Sequence, residues 1–228
     1  MASSTSTMAP APVTIKKYSA GLRLWHWANW AVISGLLSTI LFLKVIINIK
    51  GLFPKMQETL AKNGVEATQQ QLRGIGGLVS HRIWDWHIYL GVTLAGLLLW
   101  RIVVEFVQPA SQKFSARLQQ AKQSTHDAPN QPFHMRHSVL VKYSYLLFYV
   151  LLLVMVVTGL ALTYADDVEA LHKLEHTIKE VHNVNMYLIL AFFAVHLLGV
   201  VWAELTKDRG IVSEMIHGGG PNPTDKQA

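Results

Sequence analysis

Cysteine is absent from the chain, and charged residues are scarce for its 228 residues. Without cysteine the protein cannot form disulfides, ligate an iron–sulfur cluster through thiolates or attach a haem through the thioether bonds of a C-x-x-C-H motif. Charged residues make up 15% of the sequence and hydrophobic residues 51%, whereas a soluble domain carries about 25% charged residues. The composition therefore predicts a membrane protein, and any haem in it must be bound without a covalent link.

Four apolar runs are each long enough to cross a bilayer. They cover residues 22–49, 83–107, 139–165 and 181–204. We therefore predict an all-α integral membrane protein, a four-transmembrane-helix bundle over residues 16–210. Residues 1–15 are rich in Ser, Thr and Pro and are predicted to be disordered, and the glycine- and proline-rich residues 211–228 are predicted to form a flexible tail. The first span is too long for a cleaved signal and predicts an uncleaved anchor.

The formal charge of +6 lies mostly outside the apolar runs. It indicates membrane topology rather than nucleic-acid binding. Four spans place both termini on one side of the membrane, and twelve of the 20 Lys and Arg residues fall on that side. This bias predicts that both termini are cytoplasmic.

The connections between the spans have their own patterns. Residues 50–80 are predicted to form a polar loop that contains an amphipathic surface helix over 54–72. We expect Gly74, Gly76 and Gly77 to break this helix. The acidic residues 166–180 predict a short surface helix. Arg101 and Glu105 are four residues apart and should pair on one helix face.

The fourth span contains two histidines, His182 and His196, fourteen residues apart. At about 100° per residue they are only about 40° from sharing one line along the helix, and they lie roughly 21 Å apart along its axis. In a hydrocarbon core roughly 30 Å thick, this distance places one histidine near each side. An imidazole in lipid is costly without a partner, so both are candidates for function.

Topology supplies the partners. His26 begins the first span on the inner side, and His87 begins the second span on the outer side. The four histidines therefore pair by depth, His26 with His196 and His87 with His182, and each pair joins two helices. Two imidazoles on facing helices are the axial ligands of a bis-histidine haem. We predict two non-covalently bound b haems, with these four residues as ligands of the haem irons.

Histidines in membrane helices also have roles that need no haem. A single one is more often a hydrogen-bonded packing residue, and histidines also relay protons in non-redox transporters. A zinc site is disfavoured because neither pair has carboxylates or thiolates nearby. His172 and His176 have i, i+4 spacing, but a solvated helix face is the favoured interpretation.

Glycines inside the spans give a porphyrin room or simply serve helix packing; they are Gly35, Gly91, Gly96, Gly159 and Gly199.

Three arginines near the predicted membrane edges are candidate contacts of the haem propionates, with snorkelling to lipid phosphate as an equal alternative. They are Arg23, Arg82 and Arg101.

The chain resembles a known group of proteins through R-L-W-H-W in the first span, D-W-H at the start of the second and H-x13-H in the fourth. These motifs are similar to those of the four-helix dihaem cytochrome b subunits of bacterial nickel–iron hydrogenases and formate dehydrogenases, and to bacterial cytochrome b561. The resemblance covers about residues 17–210. It implies an electron-transfer subunit of the bacterial inner membrane, with bis-histidine b haems and no catalytic residues of its own, which exchanges electrons with quinone beside the inner haem.

The resemblance and the topology together predict electron transfer between quinone and an outer-side redox protein, which is hydrogenase-like, dehydrogenase-like or a cytochrome. Candidate quinone contacts near the inner side are Asn29, Arg136, Lys142 and Tyr143. For Arg136 and Lys142, positive-inside anchoring is the preferred interpretation. The long first outer loop favours a partnered subunit over the alternative, a stand-alone quinone-linked cytochrome b561 that acts on a small oxidant such as superoxide.

Overall fold

The computed structural model describes residues 19–46, 49–107, 132–206 and 210–218, without the side chains of residues 46–50 and 132–142. All regular structure in these ranges is helical. In chain order the helices are α1 (Ala20–Leu41), α2 (Ile49–Lys62), α3 (Gln69–Val107), α4 (Pro132–Thr163), α5 (Glu169–Thr206) and α6 (Ile211–His217). A π-helical turn, Phe42–Ile46, directly follows α1.

Four of these helices are long and apolar enough to cross a membrane, which confirms the predicted four-span architecture. The candidate spans are Ala20–Val45, Gln69–Val107, Tyr143–Thr163 and Glu169–Thr206. Helices suit this environment because they satisfy their backbone hydrogen bonds internally. Many large apolar side chains of the four helices are exposed, among them Leu99, Phe106 and Val195. Lipid solvates such side chains, so the chain is a multi-pass membrane protein.

The chain divides into two compact units. One is Trp27–Ala194, and the other combines Met1–His26 with Val195–Ala228. The first unit has a core to which all four long helices contribute, comprising Ile33 of α1, Leu94 and Leu98 of α3, Leu151 and Leu152 of α4, and Ile189 of α5. This shared core makes the unit a four-helix bundle.

Close packing and a buried hydrogen bond hold this bundle together. Helices in lipid gain little from hydrophobic burial and associate through van der Waals contact and hydrogen bonds. Asn185 of α5 donates its side-chain N–H to the backbone carbonyl of Leu151 in α4 at 2.9 Å. Gly35 of α1 lets Leu90 of α3 approach so closely that an added Cβ would lie 3.0 Å from its Cδ1. Small residues and polar bonds thus fix the helix contacts.

The prediction that Gly74, Gly76 and Gly77 break a helix was wrong, because α3 runs through all three. The chain turns earlier, between α2 and α3, where Gly64 has a φ of 74°. Thr68 then begins α3 with a capping box, since its N–H donates to Gln71 Oε1 at 2.9 Å and its Oγ1 accepts from the Gln71 N–H at 3.3 Å. Helix capping and tertiary packing, which buries Leu72 completely, override the low helix propensity of glycine.

Three other helix boundaries differ from the sequence interpretation. The acidic segment 166–180 was expected to form a separate helix, but its residues from Glu169 onward are continuous with the fourth span in α5. The third long helix begins at Pro132, a residue suited to the first helical turn, rather than at residue 139.

The third difference is α6, which lies within residues 211–228, where we predicted a flexible tail. Gly218 caps the end of the helix, since its φ of 76° is left-handed and its N–H donates to the Glu214 carbonyl at 2.8 Å. At its beginning, the Glu204 carboxylate accepts from the N–H groups of Gly210 and Val212 at 2.9 and 3.3 Å. These bonds are specific enough to order a short helix. The predicted disorder of residues 1–15 lies outside the described residues.

Candidate functional site

The unit Trp27–Ala194 contains a cavity of about 330 Å³ between its helices, lined by two of the predicted site residues, His87 and His182. The rest of the wall is mostly apolar and comes from all four long helices, including Leu37 of α1, Leu94 of α3 and Met155 of α4. The structure thus brings one predicted histidine pair to a common apolar space, as the depth argument required.

A threonine fixes the orientation of His87. Thr39 Oγ1 of α1 lies 2.7 Å from His87 Nδ1 and 2.6 Å from the carbonyl oxygen of Leu36. A hydroxyl has a single hydrogen, and Thr39 donates it to the Leu36 carbonyl. His87 therefore donates its Nδ1–H to Thr39, which leaves the Nε2 lone pair available to a metal.

His182 is held in the same way from a different helix. Thr158 Oγ1 of α4 lies 2.9 Å from His182 Nδ1 and 2.6 Å from the carbonyl oxygen of Val154. Since the Thr158 hydroxyl donates to the Val154 carbonyl, the His182 Nδ1–H donates to Thr158. In both imidazoles of the pair, Nε2 therefore carries a lone pair and no hydrogen. This is the tautomer that metal ligation at Nε2 requires.

Glycines make room at this site. A Cβ on Gly159 of α4 would lie 3.3 Å from His182 Cε1, and both Gly159 and Gly91 line the cavity. Gly91, Gly96 and Gly199 have no described neighbour within 4 Å of an added Cβ, and of these three Gly91 alone lines the cavity. Of the five glycines that the sequence singled out, Gly91 and Gly159 therefore belong to the candidate site.

One part of the cavity wall is polar. Glu175, Lys179 and Asn183 of α5 lie there with Thr163 of α4. Lys179 precedes His182 by three residues, so helical periodicity places it on the same face. The sequence interpretation missed this lysine, although its i, i+3 spacing from the ligand candidate was a usable signal. A lysine ammonium suits the carboxylates of a haem.

The other histidine pair, His26 and His196, lies in the second compact unit. Their ring centroids are 6.1 Å apart and their planes are inclined at 65°. Two imidazole nitrogens on opposite sides of one metal ion, each about 2 Å from it, put the ring centroids about 6 Å apart. The observed spacing therefore fits one metal ion between the two rings.

Arg23 is one helical turn before His26 and belongs to the same unit. It donates from Nη1 to the carbonyl of Ile216 at the end of α6, and its guanidinium packs so closely on Gly218 that a Cβ there would clash at 2.8 Å. Its Nε is buried and has no hydrogen-bond partner among the described residues. A buried donor beside a candidate ligand fits the proposed contact with a haem propionate.

The two other arginines differ from Arg23. Arg82 is exposed. Arg101 forms the predicted ion pair, with Nη1 3.0 Å from Glu105 Oε2, and this prediction is confirmed. Arg101 also donates from Nε to the hydroxyl of Tyr149 at 3.1 Å. Neither arginine lines the described cavity, so propionate contacts by Arg82 and Arg101 stay predictions.

Two of the four candidate quinone contacts have side chains that the structure describes. Asn29 is buried within the helix bundle, whereas Tyr143 is 45% exposed. Arg136 and Lys142 belong to α4, but their side chains lie outside the described residues. The quinone contacts therefore stay predictions.

His172 and His176 occupy an exposed face of α5 beside carboxylates. His172 Nδ1 is 3.8 Å from Glu175 and 3.9 Å from Asp166, and His176 Nε2 is 3.8 Å from Glu180. Over the described part of the chain, no group of three or more His, Asp or Glu residues could hold a metal ion. This arrangement agrees with a solvated helix face rather than a zinc site.

The sequence profile of the family described as prokaryotic cytochrome b561 matches residues 17–218. The chain belongs to this family. Family membership establishes a membrane protein that transfers electrons through b-type haem, and the matched region contains all four candidate ligands and α6. No curated protein and no solved structure is significantly similar to the chain.

The residues of this cytochrome fit b haem. Each histidine pair offers two imidazoles as donors, and the described cavity is largely apolar, with a lysine on its wall. The absence of cysteine is compatible because b haem needs no thioether bond. When bound, the haem supplies one-electron chemistry at its iron. His87 and His182 would hold it, with their imidazoles oriented by Thr39 and Thr158.

Proposed function

We propose that this chain is a dihaem cytochrome b that carries electrons across the membrane between a redox protein on the outer side and the quinone pool. His87 and His182 ligate the outer haem, and His26 and His196 ligate the inner haem. One observation carries the proposal: each compact unit contains one histidine pair, and the two histidines of each pair come from two different helices. Two separate bis-imidazole sites are what a two-step path across a membrane requires.

The orientation in the membrane is part of this proposal. Both termini lie in the cytoplasm, and the protein is a multi-pass protein of the bacterial inner membrane. The excess of Lys and Arg on the terminal side supports this orientation. Quinone then exchanges electrons with the inner haem, near the predicted contacts Asn29, Arg136, Lys142 and Tyr143.

The outer side is the proposed docking surface for the redox protein. Exposed acidic side chains lie just before α5, at Asp166, and in the first third of α5, at Glu169 and Glu180. Glu175 continues this surface to the wall of the cavity that contains His87 and His182. A negatively charged surface beside an electron-transfer site attracts a partner with complementary positive charge and accelerates its association.

Reconstitution into liposomes tests the direction and order of the path. The protein is placed in vesicles with a quinol in the bilayer and a membrane-impermeant one-electron acceptor facing the outer haem. The wild-type protein should reduce the acceptor at the expense of quinol. His182→Ala should leave one quinol-reducible haem but stop reduction of the acceptor.

His196→Ala is the matched variant, because it removes a ligand on the same helix from the inner site. It should abolish rapid quinol oxidation while the outer haem still accepts electrons from an outer chemical reductant. If quinol reduces the outer haem at the wild-type rate in His196→Ala, quinone does not act beside the inner haem, and the proposed path is wrong.

Copurification of a redox partner distinguishes the proposal from the stand-alone alternative, in which the protein reacts with a small oxidant such as superoxide. Purification in mild detergent with an associated redox subunit that reduces the haems supports the proposal. A protein purified alone that is reoxidised by superoxide at a high rate in vesicles supports the alternative.

A further inference from the structure

We infer that Thr39 and Thr158 are positioning residues that hold the outer haem ligands in their metal-binding tautomer and lower the reduction potential of the outer haem. The inference rests on the proposed ligation by His87 and His182. It assigns a role to α4, which carries none of the four candidate ligands but contributes Thr158.

The two threonine–histidine pairs of the outer site have the same hydrogen-bond arrangement, built from different helices. In each, a threonine on one helix donates its hydroxyl hydrogen to a carbonyl of the preceding turn and accepts a hydrogen bond from a histidine on another helix. Thr39 of α1 serves His87 of α3, with distances of 2.6 Å to the carbonyl and 2.7 Å to Nδ1. Thr158 of α4 serves His182 of α5, with distances of 2.6 and 2.9 Å.

This direction of hydrogen bonding has a chemical consequence. A hydroxyl that donates to a carbonyl is polarised and becomes a better acceptor at its oxygen. Donation from Nδ1–H to such an acceptor increases the basicity of Nε2 and so stabilises the ferric form of a bound haem relative to the ferrous form. The threonines should therefore lower the potential of the outer haem.

Loss of the acceptor has two expected effects. Thr→Val keeps the shape of the side chain but leaves the half-buried Nδ1–H of the histidine without its bond, which is costly. The imidazole then turns or takes the Nε2–H tautomer, which has no lone pair at Nε2 for a metal. The outer site should thus lose haem, and any outer haem that remains should be easier to reduce.

The test is a spectroscopically followed redox titration of the full-length protein in detergent, with haem content measured in the same samples. The variants are Thr39→Val, Thr158→Val and the double variant, together with Thr39→Ser and Thr158→Ser. The matched control is Thr93→Val, because Thr93 lies on α3 with His87 but does not line the cavity, and its hydroxyl bonds only to the Tyr89 carbonyl among the described residues. The inner haem serves as an internal reference.

Each Val variant should raise the reduced-to-oxidised ratio of the outer haem about fivefold at a fixed potential, roughly 40 mV at 59 mV per tenfold change for one electron, or should lose outer haem. The Ser variants should restore the wild-type potential and haem content. Thr93→Val should leave both the potential and the haem content unchanged, and the inner haem should not respond to any variant.

The inference is overturned if the Val variants keep the outer haem at its wild-type potential, if the Ser variants shift in potential or lose haem as the Val variants do, or if Thr93→Val has an equal effect. These results leave the ligand assignment intact as long as His182→Ala removes the outer haem. If His182→Ala retains both haems, the ligand assignment itself fails.

Discussion

Gly159 lies against the imidazole of His182, so that a Cβ at this position would be only 3.3 Å from His182 Cε1. Thr158, which precedes Gly159 in α4, accepts the hydrogen bond from His182 Nδ1. Two consecutive residues of α4 therefore act on one histidine of α5, one by its lack of a side chain and the other by its hydroxyl. A helix without a ligand candidate thus determines how a ligand candidate is held.

Gly159→Ala should weaken retention of the outer haem about tenfold, the scale on which residues around metal ligands act. The added methyl group must displace the His182 ring by a few tenths of an ångström. Alanine has the higher helix propensity by about 1 kcal/mol, so a loss of haem would come from the site and not from a weaker helix. Gly96→Ala is the control, since an added Cβ there has nothing within 4 Å. Haem titration of both variants measures the effect, and equal retention would contradict the prediction.

Lys179→Gln should lower the affinity of the outer site for haem roughly tenfold, because a charge-assisted hydrogen bond to a propionate contributes about 1.5–3 kcal/mol. Lys179 lines the cavity one turn before His182. Lys173→Gln is a matched control on the same helix, where the lysine is 71% exposed and pairs with Glu169 at 2.8 Å. Haem content after extended washing in detergent distinguishes them. A Lys179 variant that keeps haem as firmly as the Lys173 variant would exclude a propionate contact.

Arg101→Leu should destabilise the protein by about 2 kcal/mol, because it removes a cation that pairs with Glu105 in a poorly solvated position. The two side chains are only 18% and 28% exposed. Lys62→Ala removes a similar i, i+4 pair with Glu58 whose side chains are 71% and 64% exposed, and it should cost about 0.3–0.5 kcal/mol. Thermal unfolding in detergent compares them. Similar shifts in Tm would show that burial of the Arg101 pair contributes nothing.

Neutralising the exposed acids of the outer side should slow reduction of the haems by a redox partner and weaken its dependence on salt. The triple variant Asp166→Asn, Glu169→Gln and Glu180→Gln removes three charges from side chains that are 97%, 83% and 69% exposed. The control is the charge-conserving triple variant Asp166→Glu, Glu169→Asp and Glu180→Asp. Stopped-flow rates at several salt concentrations measure the effect, with the haem spectrum unchanged. An unchanged rate at low salt would show that the partner docks elsewhere.

The sequence predicted the four spans and the two histidine pairs because both depend on simple regularities. Long apolar runs predict helices of membrane length, and the 14-residue spacing of His182 and His196 predicts a shared face. Arg101 and Glu105 paired as expected because i, i+4 neighbours depend only on local geometry.

What the sequence interpretation missed depends on contacts between helices. Thr39 is 48 residues from His87, and Thr158 is 24 residues from His182, so no local pattern connects them. The glycines at the start of α3 were misinterpreted because their low helix propensity was given more weight than the packing of Leu72 and the capping box at Thr68. The helix α6 was missed because its order depends on Glu204 and Arg23, which lie outside it.

The most direct test of the central claim is the molar ratio of haem b to protein in the wild type, His182→Ala and His196→Ala. A pyridine haemochrome assay and amino-acid analysis on the same samples give this ratio. Two bis-histidine sites predict ratios of two, one and one, with the remaining haem low-spin at a different midpoint potential in each variant. A ratio of one or none in the wild type, or loss of both haems from either variant while it still inserts into the membrane, would contradict two independent haem sites.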